Sequence, residues 1–197
     1  FELKIAIAHE GWKETAPKRF ELANKTVVCD IAGGTEFNKR KEAVLSSKYN
    51  TDEISLRIFN SDGGRWIRKL HDYNDEVQFQ LDPFHIQKAI RGSDPGGDYS
   101  IQVSKMLKAY SFDDLFEYLD AVANSLESKN AEERVRRLLS YLRDNRKGLI
   151  PYQKRELNLP NLPDGLVYKG MGNGEHNMFL VVAKRMKHRG SCWSPQG

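Results

Sequence analysis

Residues 92–100, GSDPGGDYS, divide the chain into two stretches of different character, and that division limits the available folds more than any other feature. Two glycine-containing turns and a proline in so short a run cannot continue a helix. From Ile101 to Arg146 the apolar residues recur at three and four: Met106, Leu107 and Tyr110, then Leu115, Phe116, Leu119 and Val122, then Val135, Leu138, Leu139 and Leu142. That spacing predicts about three amphipathic helices with no strand between them.

Ahead of the break the pattern is mixed. Phe1 to Ala8 alternates apolar and polar positions, as a half-buried strand does, until Gly11 and Trp12 interrupt it. Thr26 to Ile31 and Ile54 to Phe59 are short and rich in apolar residues, and each is followed by a glycine pair, so they read as two further strands. Glu36 to Tyr49 is helical between them. Val77 to Leu81 is a fourth strand, ended by Asp82 and Pro83, and Phe84 to Arg91 returns to helical spacing. Beyond the helical block, residues 151–177 are rich in proline and glycine and are expected to be an ordered connector, after which Glu175 to Lys187 is helical again. The order describes an α/β sheet domain, residues 1–98, interrupted by an all-helical insertion, 99–165, with a closing helix and basic tail over 166–197.

Composition narrows the class. With 39% hydrophobic residues over 197 positions, a core can form without staples, and intrinsic disorder is not expected. No apolar run reaches the roughly 18 residues a membrane helix needs, and FELKIAIAHE lacks the layout of a signal peptide, so no membrane partner and a cytoplasmic location are expected. Cys29 and Cys192 are too far apart in sequence for a CxxC metal pair or a disulfide framework. The chain starts at Phe1 and opens directly into a strand pattern, and therefore reads as a fragment. Its net charge of +4 is uneven: residues 1–130 carry 18 basic and 21 acidic side chains, whereas 131–197 carry 13 and 6. A basic region on such a chain points to nucleic acid, because neutralising phosphates releases counterions; a solvated helix face is the ordinary alternative.

Three acids stand where chemistry is expected. Asp62, in RIFNSDGGRWIRK, follows a strand, so its carboxylate projects from the carboxyl end of a sheet, where α/β folds place ligands. Gly63 and Gly64 remove bulk beside it; helix capping is the competing explanation. Asp82 ends a strand ahead of Pro83 and is a good helix N-cap, and His85 lies one turn into that helix, facing either a site or the core. Glu175 opens a helix in GMGNGEHNMFLVVAKRMKHRG, with Lys184, Arg185, Lys187 and Arg189 following and Phe179, Val182 and Met186 as its apolar stripe. An acid in the first turn also complements the helix dipole. No glycine-rich loop followed by Lys and Ser or Thr is present, and the HEG triplet at 9–11 lacks the second histidine of a zincin.

Taken in order, IAIAHEGW at 5–12, NSDGGRWIRK at 60–69, FQLDPFHIQKAIR at 79–91 and GMGNGEHNMFLVVAKRMKHRGSCWS at 170–194 resemble transposases of the ISLre type, bacterial insertion-sequence enzymes of the Asp-Asp-Glu class. The likeness implies an RNase H-like mixed sheet flanked by helices. It matches Asp62 to the second catalytic aspartate and Glu175 to the closing glutamate, both metal ligands, and the helical block to an insertion such enzymes carry. Asp82 and His85 match a family motif beside the site. The first catalytic aspartate would lie upstream of Phe1, which puts the independent activity of these residues in question; Glu10 and Asp30 are expected to be peripheral. The implied chemistry is Mg²⁺-dependent, with Mn²⁺ as a substitute: two metal ions clamp the oxygens of an in-line displacement at phosphorus, water cleaves the element end, and the released 3′ hydroxyl attacks target DNA. Lys184, Arg185, Lys187 and Arg189 would contact DNA phosphates, and the enzyme would act as a homo-oligomer on DNA. For Trp66 and Trp193, core packing is a better expectation than stacking on bases. A catalytically inactive DNA-binding remnant and an RNase H-like nuclease without strand transfer are the two alternatives.

Overall fold

The computed structural model describes residues 2–64, 67 and 76–172. They form a mixed α/β arrangement with five helices, falling into two compact units: one takes the residues up to Ser55 and the described residues from Leu159, the other is Leu56–Asn158. Glu175, Lys184, Arg185, Lys187 and Arg189 lie outside the described residues, as do Trp66, Cys192 and Trp193.

In the first unit, β1 (Lys4–Ala8) pairs antiparallel with β4 (Thr26–Asp30), Lys4 opposite Asp30 and Ala8 opposite Thr26. Helix α1 (Gly34–Lys48) packs against both strands and buries Phe37. Between β1 and β4 the chain makes a hairpin, β2 (Trp12–Ala16) and β3 (Arg19–Leu22), whose register shifts between Glu14 and Ala16. The reading of residues 11–12 as a simple break therefore missed two strands. Apart from Trp12, β2 is exposed, and the alternation of β3 is only four residues long, too short to stand out; Lys18 takes the positive-φ turn position, φ 62°, that glycine or asparagine normally advertises. The short β7 (Leu166–Val167), inside the expected connector, lies on the other edge of β2. Gly11, at φ 140°, sits against the Val167 carbonyl and Leu162, a conformation other residues rarely adopt.

The second unit is built on β5 (Arg57–Ser61) and β6 (Val77–Leu81), which run parallel and in register from Arg57 opposite Val77 to Ser61 opposite Leu81. The expected strand at 54–59 thus begins three residues later, because Thr51–Glu53 closes into a 3₁₀ turn. Four helices follow: α2 (Pro83–Ser93), α3 (Tyr99–Ala109), α4 (Phe112–Ser125) and α5 (Lys129–Asp144). The last three are the helices expected from the spacing over 101–146. On α5 the buried residues Ala131, Val135, Leu138, Leu139 and Leu142 form one stripe at the helical period, with Ser128 accepting from the Ala131 N–H at the start. These helices and β6 share one apolar core, which includes Phe79, Leu81, Ile90, Val103, Leu115, Leu119, Val135 and Leu142.

A polar strut ties β6 to the chain beyond α5. Buried Gln80 donates to the Gly148 carbonyl at 3.2 Å and accepts from the Tyr152 N–H at 2.8 Å. Gly148 packs so closely on β6 that an added Cβ would lie 2.5 Å from the Phe79 ring.

Candidate active site

Because β5 and β6 are parallel and in register, the residues that follow them leave the sheet at the same end. Those residues are Asp62 and Asp82. The Asp82 N–H donates to the Ser61 carbonyl at 2.8 Å, which carries the ladder one step past the strands. The two carboxylates have different surroundings: Asp62 is exposed, whereas the Asp82 side chain is 7% exposed.

Asp82 has the capping role its place before Pro83 suggests. One carboxylate oxygen accepts from the His85 N–H at 3.2 Å and lies 2.8 Å from His85 Nδ1; the other accepts from Asn60 Nδ2 at 3.0 Å. A carboxylate only accepts, so Nδ1 carries a proton and the imidazole is held in one orientation. His85 therefore turns toward Asp82, with its side chain 30% exposed, and away from a fully buried core position. Buried and hydrogen-bonded on both oxygens, Asp82 is poorly suited to holding a cation.

Asp62 sits in a tight turn. Its Oδ1 accepts from the Gly64 N–H at 2.9 Å, and the Gly63 N–H donates to Ser61 Oγ at 3.2 Å. Gly63 is buried at φ 82°, and a Cβ there would stand 2.7 Å from Asn145 Oδ1, so both the backbone and the space require glycine. The Asp62 carbonyl accepts from Tyr141 Oη at 2.9 Å, and Asn145 Nδ2 in turn donates to the Tyr141 carbonyl at 2.7 Å. Burial, together with the charges of Asp62 and Asp82, pushes the Tyr141 phenol up to about 12, so it stays a hydrogen-bond donor across the physiological range. That both aspartates act on one phenol reflects their shared end of the sheet. The Oδ1 atoms of Asn60 and Asn145 are buried and have no hydrogen-bond partner among the described residues.

Asn60, Tyr141 and Asn145 escape sequence reasoning. Tyr141 lies on a helix far along the chain from Asp62 and Asn145 caps its end, and their i, i+4 spacing is what any helix end provides. Asn60 is one residue inside a strand, and its only signal is its place beside the SDGG run.

Glu10 and Asp30, expected to be peripheral, lie in the other unit. Asp30 ends β4, accepts from the Ala32 N–H at 3.0 Å and pairs with Arg40; these interactions hold its carboxyl below the usual carboxylate range. Burial and the Asp30 charge push the neighbouring Cys29 thiol up, which makes the nucleophilic thiolate scarcer.

A divalent cation of the Mg²⁺ type requires hard oxygen donors, and the exposed Asp62 carboxylate at a glycine turn is a donor of that kind. Among the described residues no group of three His, Cys, Asp or Glu is arranged to hold a metal ion. No described helix is long and apolar enough to cross a membrane.

No curated protein and no solved structure gives a match to the chain. The sequence profile of UPF0236, described as an uncharacterised protein family, matches residues 1–197. A match over this whole length makes the chain a member of the UPF0236 family.

Proposed function

We propose that the chain is the larger part of the catalytic domain of a DNA transposase of the Asp-Asp-Glu class, with an RNase H-like fold, and that Asp62 is one of its metal-binding carboxylates. The observation that carries this reading is the placement of Asp62: an exposed carboxylate at the carboxyl end of a parallel strand pair, held in the Gly63–Gly64 turn by the Gly64 N–H. Asp62 and Glu175 would hold Mg²⁺, or Mn²⁺ in its place; when bound, such ions activate the attacking oxygen and stabilise the leaving one. Lys184, Arg185, Lys187 and Arg189 would contact DNA phosphates on the closing helix, positioning the duplex without reading its bases.

The residues of the sheet end supply the rest. The Gly64 N–H fixes the rotation of the Asp62 carboxylate, and Asp82 orients His85. The account requires no covalent protein intermediate. Its test uses the complete protein and DNA carrying the ends of its own element. Asp62→Ala and Glu175→Ala should each abolish Mg²⁺-dependent cleavage, and undiminished cleavage by either variant overturns the assignment. Supplying pre-cleaved ends separates a transposase, which joins them to target DNA, from a nuclease, which does not.

A further inference from the structure

We propose that Tyr141, on helix α5, and Asn145, the residue that caps the end of that helix, are positioning residues that hold the Asp62 turn in the geometry that presents its carboxylate. The proposal rests on the reading of Asp62 as a metal ligand, and it assigns the helical segment a part in the site that no sequence motif indicates.

When β5 ends at Ser61, the Asp62 carbonyl passes beyond the last strand pair and needs a donor from elsewhere. Tyr141 Oη supplies it at 2.9 Å. At the C-cap of α5, Asn145 is 4% exposed; its Nδ2 donates to the Tyr141 carbonyl, and its Oδ1 stands where a Cβ on Gly63 would have to go. The two side chains thus contact consecutive residues of the turn, one through a hydrogen bond and one through close packing. Within the turn the Gly63 and Gly64 N–H groups are already committed to Ser61 Oγ and Asp62 Oδ1. The external constraint in the described structure therefore comes from α5.

That helix is a rigid support. Its apolar stripe, Val135, Leu138, Leu139 and Leu142, is embedded in the core that also contains Leu81 at the end of β6, and Tyr141 packs against the same core. A carboxylate that binds a cation gains from being held in place beforehand, because ordering it on binding costs affinity. The Tyr141 hydroxyl and the Asn145 amide supply that order without touching the cation.

The experiment measures Mn²⁺ binding to the complete protein by electron paramagnetic resonance, without DNA, together with hydrogen exchange in the peptide covering 57–64. Tyr141→Phe removes one oxygen and should weaken Mn²⁺ binding about ten-fold, the scale of one lost hydrogen bond. It should also speed exchange at the Asp62 turn while leaving the thermal midpoint and metal-free DNA affinity close to wild type. Asn145→Ala is the second variant and should act in the same direction if Tyr141→Phe does not fold. Wild-type Mn²⁺ affinity in a folded variant overturns the positioning role. Asp62→Ala separates the two claims: if it abolishes Mn²⁺ binding while Tyr141→Phe changes nothing, the positioning role alone fails; if it too changes nothing, the metal reading of Asp62 fails and the positioning role fails with it.

Discussion

The unit Leu56–Asn158 contains the seven largest fully buried side chains, Leu81, Ile90, Val103, Leu115, Leu119, Val135 and Leu142, whereas among the described residues of the other unit the buried apolar side chains are Trp12 and Phe37. That other unit also buries two lysines, Lys4 and Lys41. Its helix α1 encloses only Phe37 and Lys41, while α5 encloses five apolar residues on one face. Apolar burial is the main favourable term in folding, so the described residues of the two units differ in how much stability their packing supplies. The candidate site stands on the better-packed one. Asp82 follows β6, whose Phe79 and Leu81 join the helical core and pack against Gly148, and Asp62 follows the strand paired with it; a site that must hold charged groups in fixed positions needs that kind of support.

The comparison is sharpest in core truncations. Leu142→Ala, at a fully buried position, should cost about 3–4 kcal/mol of unfolding free energy in urea denaturation, while Ile7→Ala on the half-buried β1 should cost about 1 kcal/mol. Equal losses would remove the distinction. Asp82→Ala takes away a helix cap and leaves Asn60 Nδ2 without its acceptor, and about 2–3 kcal/mol should be lost. Asp82→Asn keeps one acceptor oxygen and should cost less. In native-state hydrogen exchange, amides of β6, α4 and α5 should be the slowest and those of β2 and β3 among the fastest.

The smallest effect belongs to an exposed pair in the stable unit. Arg146 donates to both oxygens of Asp113, at 2.7 and 3.0 Å, and holds its carboxyl below the usual range. A carboxyl depressed in the folded state adds stability above its unfolded pKa, about 3.9, and loses it as pH falls through the lower folded value. The denaturation midpoint of Asp113→Asn should therefore lie slightly below wild type near pH 6 and converge with it in acid. A gap that is constant with pH would show that the charge plays no part.

Much of this architecture is legible in the residues themselves. Leu115, Leu119, Val135 and Leu142 repeat at the helical period because each helix buries one stripe, and Asp82 declares a cap because Pro83 follows it. Strand β6 has the limits its sequence predicts, since Val77, Phe79 and Leu81 alternate with two glutamines and Asp82 and Pro83 follow. The hairpin β2–β3 is not legible, because Lys13 to Ala16 is exposed, Phe20 and Leu22 make an alternation too short to stand out, and Lys18 stands at the turn in place of glycine or asparagine. Asp62 was found through its strand and its glycines; the contacts on its carbonyl were not, because Tyr141 and Asn145 reach it through tertiary packing that leaves no local pattern.

The most direct test of the central claim is to load the complete protein with Fe²⁺ in place of Mg²⁺, add ascorbate and peroxide, and map where hydroxyl radicals cut the backbone. Convergence of Asp62 and Glu175 on one cation predicts two sets of cuts, around residues 61–63 and around residue 175, both suppressed together by Mg²⁺. Cuts at neither position, or cuts that Mg²⁺ suppresses at only one of them, would contradict it.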